Sequence, residues 1–168
     1  MVRLETERLI MRPFTQSDFD VYAAIHADPE VTRFMTATGA PLPRWEAWRS
    51  MAMFVGHWQL RGYGVWALEE KTTGRFLGRA GLHFPEGWPG IEVGWMLDRA
   101  AWGKGFATEA GRAAIGWAFD VLGLDHIISV IHPENGRSIG VAERLGMRYE
   151  QDTEVLNGIK VAVYGRDR

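Results

Sequence analysis

Apolar and polar residues change their spacing several times along this chain, and each change marks an element. Ile91, Val93, Trp95 and Leu97 alternate with other residues at period 2, which predicts a strand over 91–98. A loop punctuated by Gly103 and Gly105 follows. Beyond it Phe106, Ala110, Ala113, Ala114, Trp117 and Val121 recur at helical spacing, predicting a helix to about Leu122 with Gly123 as its C-cap. Upstream, residues 3–12 alternate loosely and end at Pro13, which reads as an opening strand. Thr15 to Asp18 offer capping groups for a helix carrying Phe19, Tyr22, Ala23 and Ile25, and Asp28-Pro29 restarts a short helical piece through Val31 and Phe34. Residues 36–43 are a loop by their Thr, Gly and Pro content, either covering a substrate or inert. Trp45, Trp48, Met51, Ala52, Val55 and Trp58 or Gln59 trace the apolar stripe of another helix over 44–60, stopped by Gly62.

A run of strands comes next. Residues 64–70 and 75–84 flank a turn at 71–74 and read as a hairpin, with 91–98 as the third strand of a meander after the turn at 85–90. Residues 125–132 form an apolar strand of the fully buried kind. A helix from about 133–138 to Leu145 ends at Gly146, and 147–155 with 160–166 closes the chain as a hairpin through Asn157-Gly158. The strands at 91–98 and 125–132 are joined by a crossover helix, so they should be parallel neighbours.

Length and composition narrow the class. A chain of 168 residues suits one domain over 1–168, and 46% hydrophobic with 24% charged residues argues for a folded core. A net charge of −2 gives no support for nucleic acid or an anionic membrane as partner. The absence of cysteine excludes disulfides, thiolate metal sites and a cysteine nucleophile, and fits a reducing compartment. No apolar run reaches bilayer length and the first residues do not open a signal peptide, so the expected location is cytoplasmic. Eight tryptophans divide between core and pocket wall in a way the pattern does not resolve.

The strand–glycine loop–helix unit at 91–122 is built to hold an anion. The first backbone N–H groups of a helix lack internal partners, and the macrodipole adds partial positive charge there. Glycines that only serve the turn are the bland alternative. Gly103-Lys104-Gly105 is similar to the start of G-x-G-x-x-G, but Thr108 fills the third glycine position and Asp125 sits at the wrong end of its strand to hold a ribose. Gly136-Arg137-Ser138-Ile139-Gly140 matches the G-x-S-x-G elbow, yet all five histidines precede Ser138 and the base that mechanism needs should follow it.

Four motifs in order carry a family resemblance: LETERLIMRPF at 4–14, WGKGFATEA at 102–110, Asn135-x-x-Ser138, and Leu145-Gly146-Met147. Together they resemble the GNAT acetyltransferase superfamily, in particular the branch containing the ribosomal-protein N-terminal acetyltransferases. The resemblance implies an α/β (α+β) fold: a mixed, mostly antiparallel sheet with a parallel strand pair around a cofactor cleft and helices on both faces. It implies acetyl-CoA as cosubstrate, no metal, and an amine acceptor, either a peptide N-terminus or a small molecule; a homodimer is a candidate assembly. The superfamily's Gln/Arg-x-x-Gly-x-Gly/Ala loop lands on Trp102, Gly103, Lys104, Gly105, Phe106 and Ala107, with tryptophan departing from the first position. Amides from Gly103 to Thr108 would hold the diphosphate, with Lys104 either adding charge or simply exposed. The strand around Met96 and Leu97 would offer main-chain groups to the pantetheine arm. Asn135 matches the pantetheine-binding asparagine, against helix capping as its competing role.

With no cysteine and no serine triad, direct transfer without a covalent acyl-enzyme is expected. Glu92 is the first candidate for general base, against a solvent-facing strand glutamate, with His83 and Glu86 behind it. The tyrosine that many members carry seven residues after the asparagine is replaced by Ala142. Ser138 matches a serine used near the sulfur in the resembling branch, where hydrogen bonding to the departing thiolate suits a hydroxyl better than acid catalysis. A CoA-binding module without transferase activity is the alternative.

Overall fold

The computed structural model describes residues 2–36, 38–155 and 158–168. Its elements run β1 (Leu4–Glu5), β2 (Leu9–Arg12), α1 (Phe19–His26), α2 (Pro29–Thr32), α3 (Arg44–Arg61), β3 (Val65–Glu70), β4 (Phe76–His83), β5 (Glu92–Leu97), α4 (Phe106–Asp120), β6 (His126–Ile131), α5 (Gly136–Arg144), β7 (Arg148–Val155) and β8 (Ile159–Asp167). They build an eight-stranded sheet in the order β1-β2-β3-β4-β5-β6-β8-β7. Every neighbouring pair is antiparallel except β5–β6, the parallel pair expected on either side of the crossover helix.

Burial explains the layers. Apolar residues of α4 (Phe106, Ala110, Ala114, Ile115, Trp117) pack with Leu9, Met11, Leu82, Val93 and Leu97 on one face of the sheet. On the other, α1 and α3 bring Phe19, Tyr22, Met51 and Phe54 onto Ala67, Phe76 and Met96. The tryptophans sort into three groups. Trp58, Trp66 and Trp117 stack edge-on or tilted at 5.1–6.0 Å in the core, and Trp58 and Trp66 spend their indole N–H on the carbonyls of Val65 and Val2. Trp88, Trp95 and Trp102 line clefts, whereas Trp45 and Trp48 are exposed.

Three expectations need correction. The opening segment is two strands, not one, because the chain turns back at Thr6–Arg8 and pairs Leu4 with Met11. The buried stripe of α3 is Ala47, Met51, Phe54, His57 and Trp58, so of the expected stripe Met51 and Trp58 are buried and Val55 partly so, whereas Trp45, Trp48 and Ala52 lie exposed. Trp45 instead carries the Arg49 guanidinium 5.6 Å from its ring centre, in solvent. Val121, placed on the buried face of α4, lies past the last helical turn and is exposed. The closing hairpin pairs Val155 with Ile159; of its expected turn, Asn157 lies outside the described residues.

Candidate active site

β5 and β6 pair at a single register position, Glu92 with Ile128, where the Ile128 amide donates to the Ile91 carbonyl at 3.1 Å. Beyond that point the two strands part, and two clefts meet in the split. One, of about 1010 Å³, lies between the end of β5, the start of α4 and the start of α5. The other, of about 940 Å³, lies over β4 and β5 beneath α3, Thr36, the segment 38–42 and the paired strands β7 and β8. Phe34, Trp95, Asn135 and Ser138 border both.

The first cleft is shaped by the loop before α4. Gly103 and Gly105 have φ of 72° and 82°, left-handed values that a side chain would strain, and Gly105 is the N-cap of α4. The first α4-type bond runs from the Glu109 amide to the Gly105 carbonyl. Among the described residues, no amide from Gly103 to Thr108 donates within the chain, so a row of free donors lies at the positive end of a helix of 15 residues, and all these residues but Lys104 line the cleft. The side chain of Phe106 is buried and anchors the turn, while Ala107 and Thr108 line the cleft. Lys104 is exposed and is absent from the lining; its carbonyl accepts from Arg8 Nη1 at 2.9 Å. Arg137 and Arg144, seven residues apart and hence on one side of α5, add positive charge to the same wall.

A second-strand clamp holds this loop. Glu109, in the first turn of α4, accepts from Thr6 Oγ1 (2.6 Å), the Arg8 amide (2.8 Å) and Arg8 Nε (2.7 Å). Burial pushes its carboxyl up, but these donors and the Arg8 charge outweigh burial and hold it below the usual carboxylate range. The Arg8 guanidinium also lies 4.5 Å from the Phe106 ring centre. Trp102 donates its indole N–H to the Leu97 carbonyl at 2.9 Å and carries the Arg137 guanidinium 4.6 Å over its ring.

Strand alternation decides which main-chain groups face the split. Asp98 N–H bonds to Leu77 O on β4, and Ile91 O accepts from β6, so even-numbered residues of β5 turn their peptide groups to β4 and odd-numbered ones to β6. Trp95 and Leu97 therefore offer main-chain groups to the cleft, with Leu97 O already engaged by Trp102. Met96 turns its peptide groups to β4 and buries its side chain against the α1–α3 layer, touching the cleft only with its flank. Asn135 caps α5, its Oδ1 accepting the Ser138 amide at 3.2 Å, which leaves its Nδ2 protons available. Ser138 Oγ makes no hydrogen bond within the chain among the described residues and sits where both clefts meet.

Glu92 lies in the second cleft, only 14% exposed, its Oε2 accepting from Trp88 Nε1 at 2.9 Å and its Oε1 3.7 Å from His83 Nδ1. The carboxylate folds over Gly94, where an added Cβ would meet Oε1 at 3.4 Å, so the glycine leaves it room beside the split. Glu86 is fully outside, 95% exposed and paired with Arg61. His57 is fixed as the neutral tautomer, Nδ1–H donating to Tyr63 O and Nε2 accepting from the Phe84 amide; burial, with the neighbouring His83 and Arg61 charges, lowers its pKa despite the Tyr63 bond. Arg79, unmarked by sequence reasoning, reaches into the same cleft. Its signal was an arginine interrupting the apolar strand at 76–82. Arg8, Arg137 and Arg144 left no comparable trace, because each acquires meaning only from a distant element.

With this geometry in place, the comparisons are decisive. The family model for the acetyltransferase (GNAT) domain matches residues 8–148. An N-acetyltransferase, p20, from Bacillus licheniformis is 33% identical over 169 residues, spanning 98% of this chain and 94% of the relative. The protein YkkB of Bacillus subtilis is 31% identical over 171 residues, spanning 98% and 95%. Among solved structures, an acetyltransferase from Agrobacterium tumefaciens superposes with a TM-score of 0.88 at 30% identity, covering 100% of this chain and 95% of that one. RimL, a ribosomal L7/L12 alpha-N-protein acetyltransferase solved with coenzyme A, shares the fold at a TM-score of 0.80 and 16% identity over 99% of this chain and 98% of its own. No helix among the described residues is long and apolar enough to cross a membrane. A split parallel pair with free amides at its mouth, in a chain so matched from end to end, belongs to the GNAT acetyltransferase family and makes this protein an acyl-CoA-dependent acetyltransferase.

Proposed function

We propose that the protein, acting as one domain, transfers an acetyl group from acetyl-CoA directly to a primary amine, with the donor in the first cleft and the acceptor in the second. The observation that carries this is the row of unbonded amides from Gly103 to Thr108 at the mouth of a cleft leading into the β5–β6 split. Those donors suit a diphosphate, with Arg137 and Arg144 screening its charge. Main-chain groups of Trp95 and Leu97, and Asn135 Nδ2, suit the amides of the pantetheine arm, which then lies along the opened edge of β5. Bound there, acetyl-CoA supplies an activated thioester.

The protein's part is alignment and proton handling. The amine must reach the thioester carbonyl with a free lone pair, and amines are mostly protonated near neutrality. Glu92, held by Trp88 beside the split, takes that proton directly or through water. Attack forms the C–N bond as the C–S bond breaks; the electron pair leaves on sulfur, and the second proton shed by the nitrogen passes to that thiolate, giving the amide and the CoA thiol. Ser138 Oγ, free at the junction of the clefts, donates a hydrogen bond to that thiolate. Ala142, fully buried where many members place a tyrosine, has no part in this step. Positioning two reactants in adjoining clefts supplies much of the acceleration.

The test is amine-dependent release of CoA thiol across a panel of N-terminal peptides and small amines. Glu92→Gln should lower kcat by about 100-fold near neutral pH, with the deficit shrinking as pH rises and the amine loses its proton unaided, while leaving acetyl-CoA affinity unchanged. Ser138→Ala should lower kcat by about tenfold with little effect on acetyl-CoA affinity. Gly105→Val should abolish acetyl-CoA binding by calorimetry; unchanged affinity would remove the loop from the site. Tight CoA binding with no turnover across the panel would return the reading to a binding module.

A further inference from the structure

The acceptor cleft contains a cation without a counter-ion. Arg79, Gly81 and His83 project on one face of β4, and the ladder sets them opposite Met96, Gly94 and Glu92. The main-chain positions of Arg79 and of His83, which pairs with Glu92, are thus four residues or about 13 Å apart along the strand, with Gly94 between them on β5 and the Glu92 carboxylate folded over it. Both Arg79 and Glu92 line the cleft. The Arg79 guanidinium lies 4.4 Å from the Phe54 ring centre, and its Nε is buried with no hydrogen-bond partner. Its other close neighbour is the Tyr22 hydroxyl, which is also bonded to Ser50 Oγ at 2.9 Å. Among the described residues no carboxylate lies within 4.0 Å of Arg79, while Glu92 is held by Trp88 and lies 3.7 Å from His83.

A partly buried guanidinium held against an aromatic face and left without an anion is unfavourable unless something completes it. The ring contributes, but it satisfies no N–H. The planar fork of donors matches a carboxylate bidentately. We propose that the acceptor amine carries a carboxylate, bound in this cleft by Arg79 while its amino group stands at Glu92. This rests on the acetyltransferase reading and gives it a substrate class: amino acids with separated ends, or short peptides with a free C-terminus. Polyamines are disfavoured, because Arg33, Arg79 and Lys160 outnumber Glu92 and Glu134 among the charged residues lining this cleft.

Matched acceptors test it: γ-aminobutyrate, ε-aminocaproate and glycylglycine, each beside its primary amide. The readouts are kcat/KM from thiol release and, independently, calorimetric affinity for the CoA-saturated protein. At least one carboxylate should exceed its amide by about tenfold or more. Arg79→Gln should erase that ratio by weakening the carboxylate member far more than the amide, Arg79→Lys should keep part of it, and neither should alter CoA affinity. Parity of every pair in the wild-type protein, in both readouts, overturns the proposal without any variant, as does an equal loss for both members in Arg79→Gln. A binding preference without turnover would keep the carboxylate site and defeat the transferase reading; turnover without preference would do the reverse.

Discussion

Trp102 binds two parts of the first cleft together through opposite ends of one side chain. Its N–H closes the main-chain acceptor left at the end of β5, and its ring face holds Arg137 at the cleft wall. Trp102→Phe removes the first function and keeps the second. It should cost about 1 kcal/mol of stability, seen as a lower denaturation midpoint, with acetyl-CoA affinity nearly retained. Trp102→Ala frees Arg137 as well and should weaken acetyl-CoA binding by several-fold beyond that, about 1 kcal/mol by calorimetry. Equal affinities for the two variants would show that the stacked guanidinium contributes nothing to binding. The tryptophan was legible in the sequence only as a departure from Gln or Arg. Its partners, a carbonyl five residues back and an arginine on another helix, are fixed by the fold and leave no local pattern.

Elements were read well where periodicity alone decides them. Both strands of the split, α4 and α5 lie within about three residues of their expected bounds, because a half-buried strand and an amphipathic helix write their period into the chain. Reading failed where a distant group decides. The turn between β1 and β2 exists because Thr6 and the Arg8 amide converge on Glu109, about a hundred residues away. In α3 the expected stripe shares Met51 and Trp58 with the buried face, but Trp45 and Trp48 lie in solvent, where size and apolarity alone do not tell a core indole from an exposed one, and Ala47, Phe54 and His57 fill the face instead. The same clamp offers a prediction at this scale. Glu109→Ala strands a backbone donor, a hydroxyl and a guanidinium, and should cost about 1–3 kcal/mol in chemical denaturation. Arg8→Ala should destabilise less, since its guanidinium is partly exposed, yet weaken acetyl-CoA binding, because it frees the carbonyl of Lys104 inside the loop proposed to hold the diphosphate.

Across the whole molecule, the two faces of the sheet divide the work: one packs α4 behind the first cleft, the other packs α1 and α3 around the second. The second layer contains His26, 2% exposed and beside the charge of Arg79. Burial above all, then Arg79, lowers its pKa to about 4 against the opposing bond to the Tyr22 carbonyl. The unfolded chain regains an ordinary histidine, so between about pH 6.5 and pH 4 it binds a proton that the folded state refuses. That stabilisation is full above the unfolded value and declines as pH falls through this window, by about 2–3 kcal/mol at pH 4.5. Asp18 and Glu109 are held below the usual carboxylate range, Asp18 because its bonds to Arg12 and Thr15 outweigh burial, so they add their losses only at lower pH. Urea midpoints near pH 7 and pH 4.5 should therefore diverge strongly in the wild-type protein and much less in His26→Gln. The variant should start less stable at neutrality and lose less on acidification. If both proteins lose stability equally, His26 is not the group that titrates, and His57, also held neutral by burial, becomes the source of the acid sensitivity.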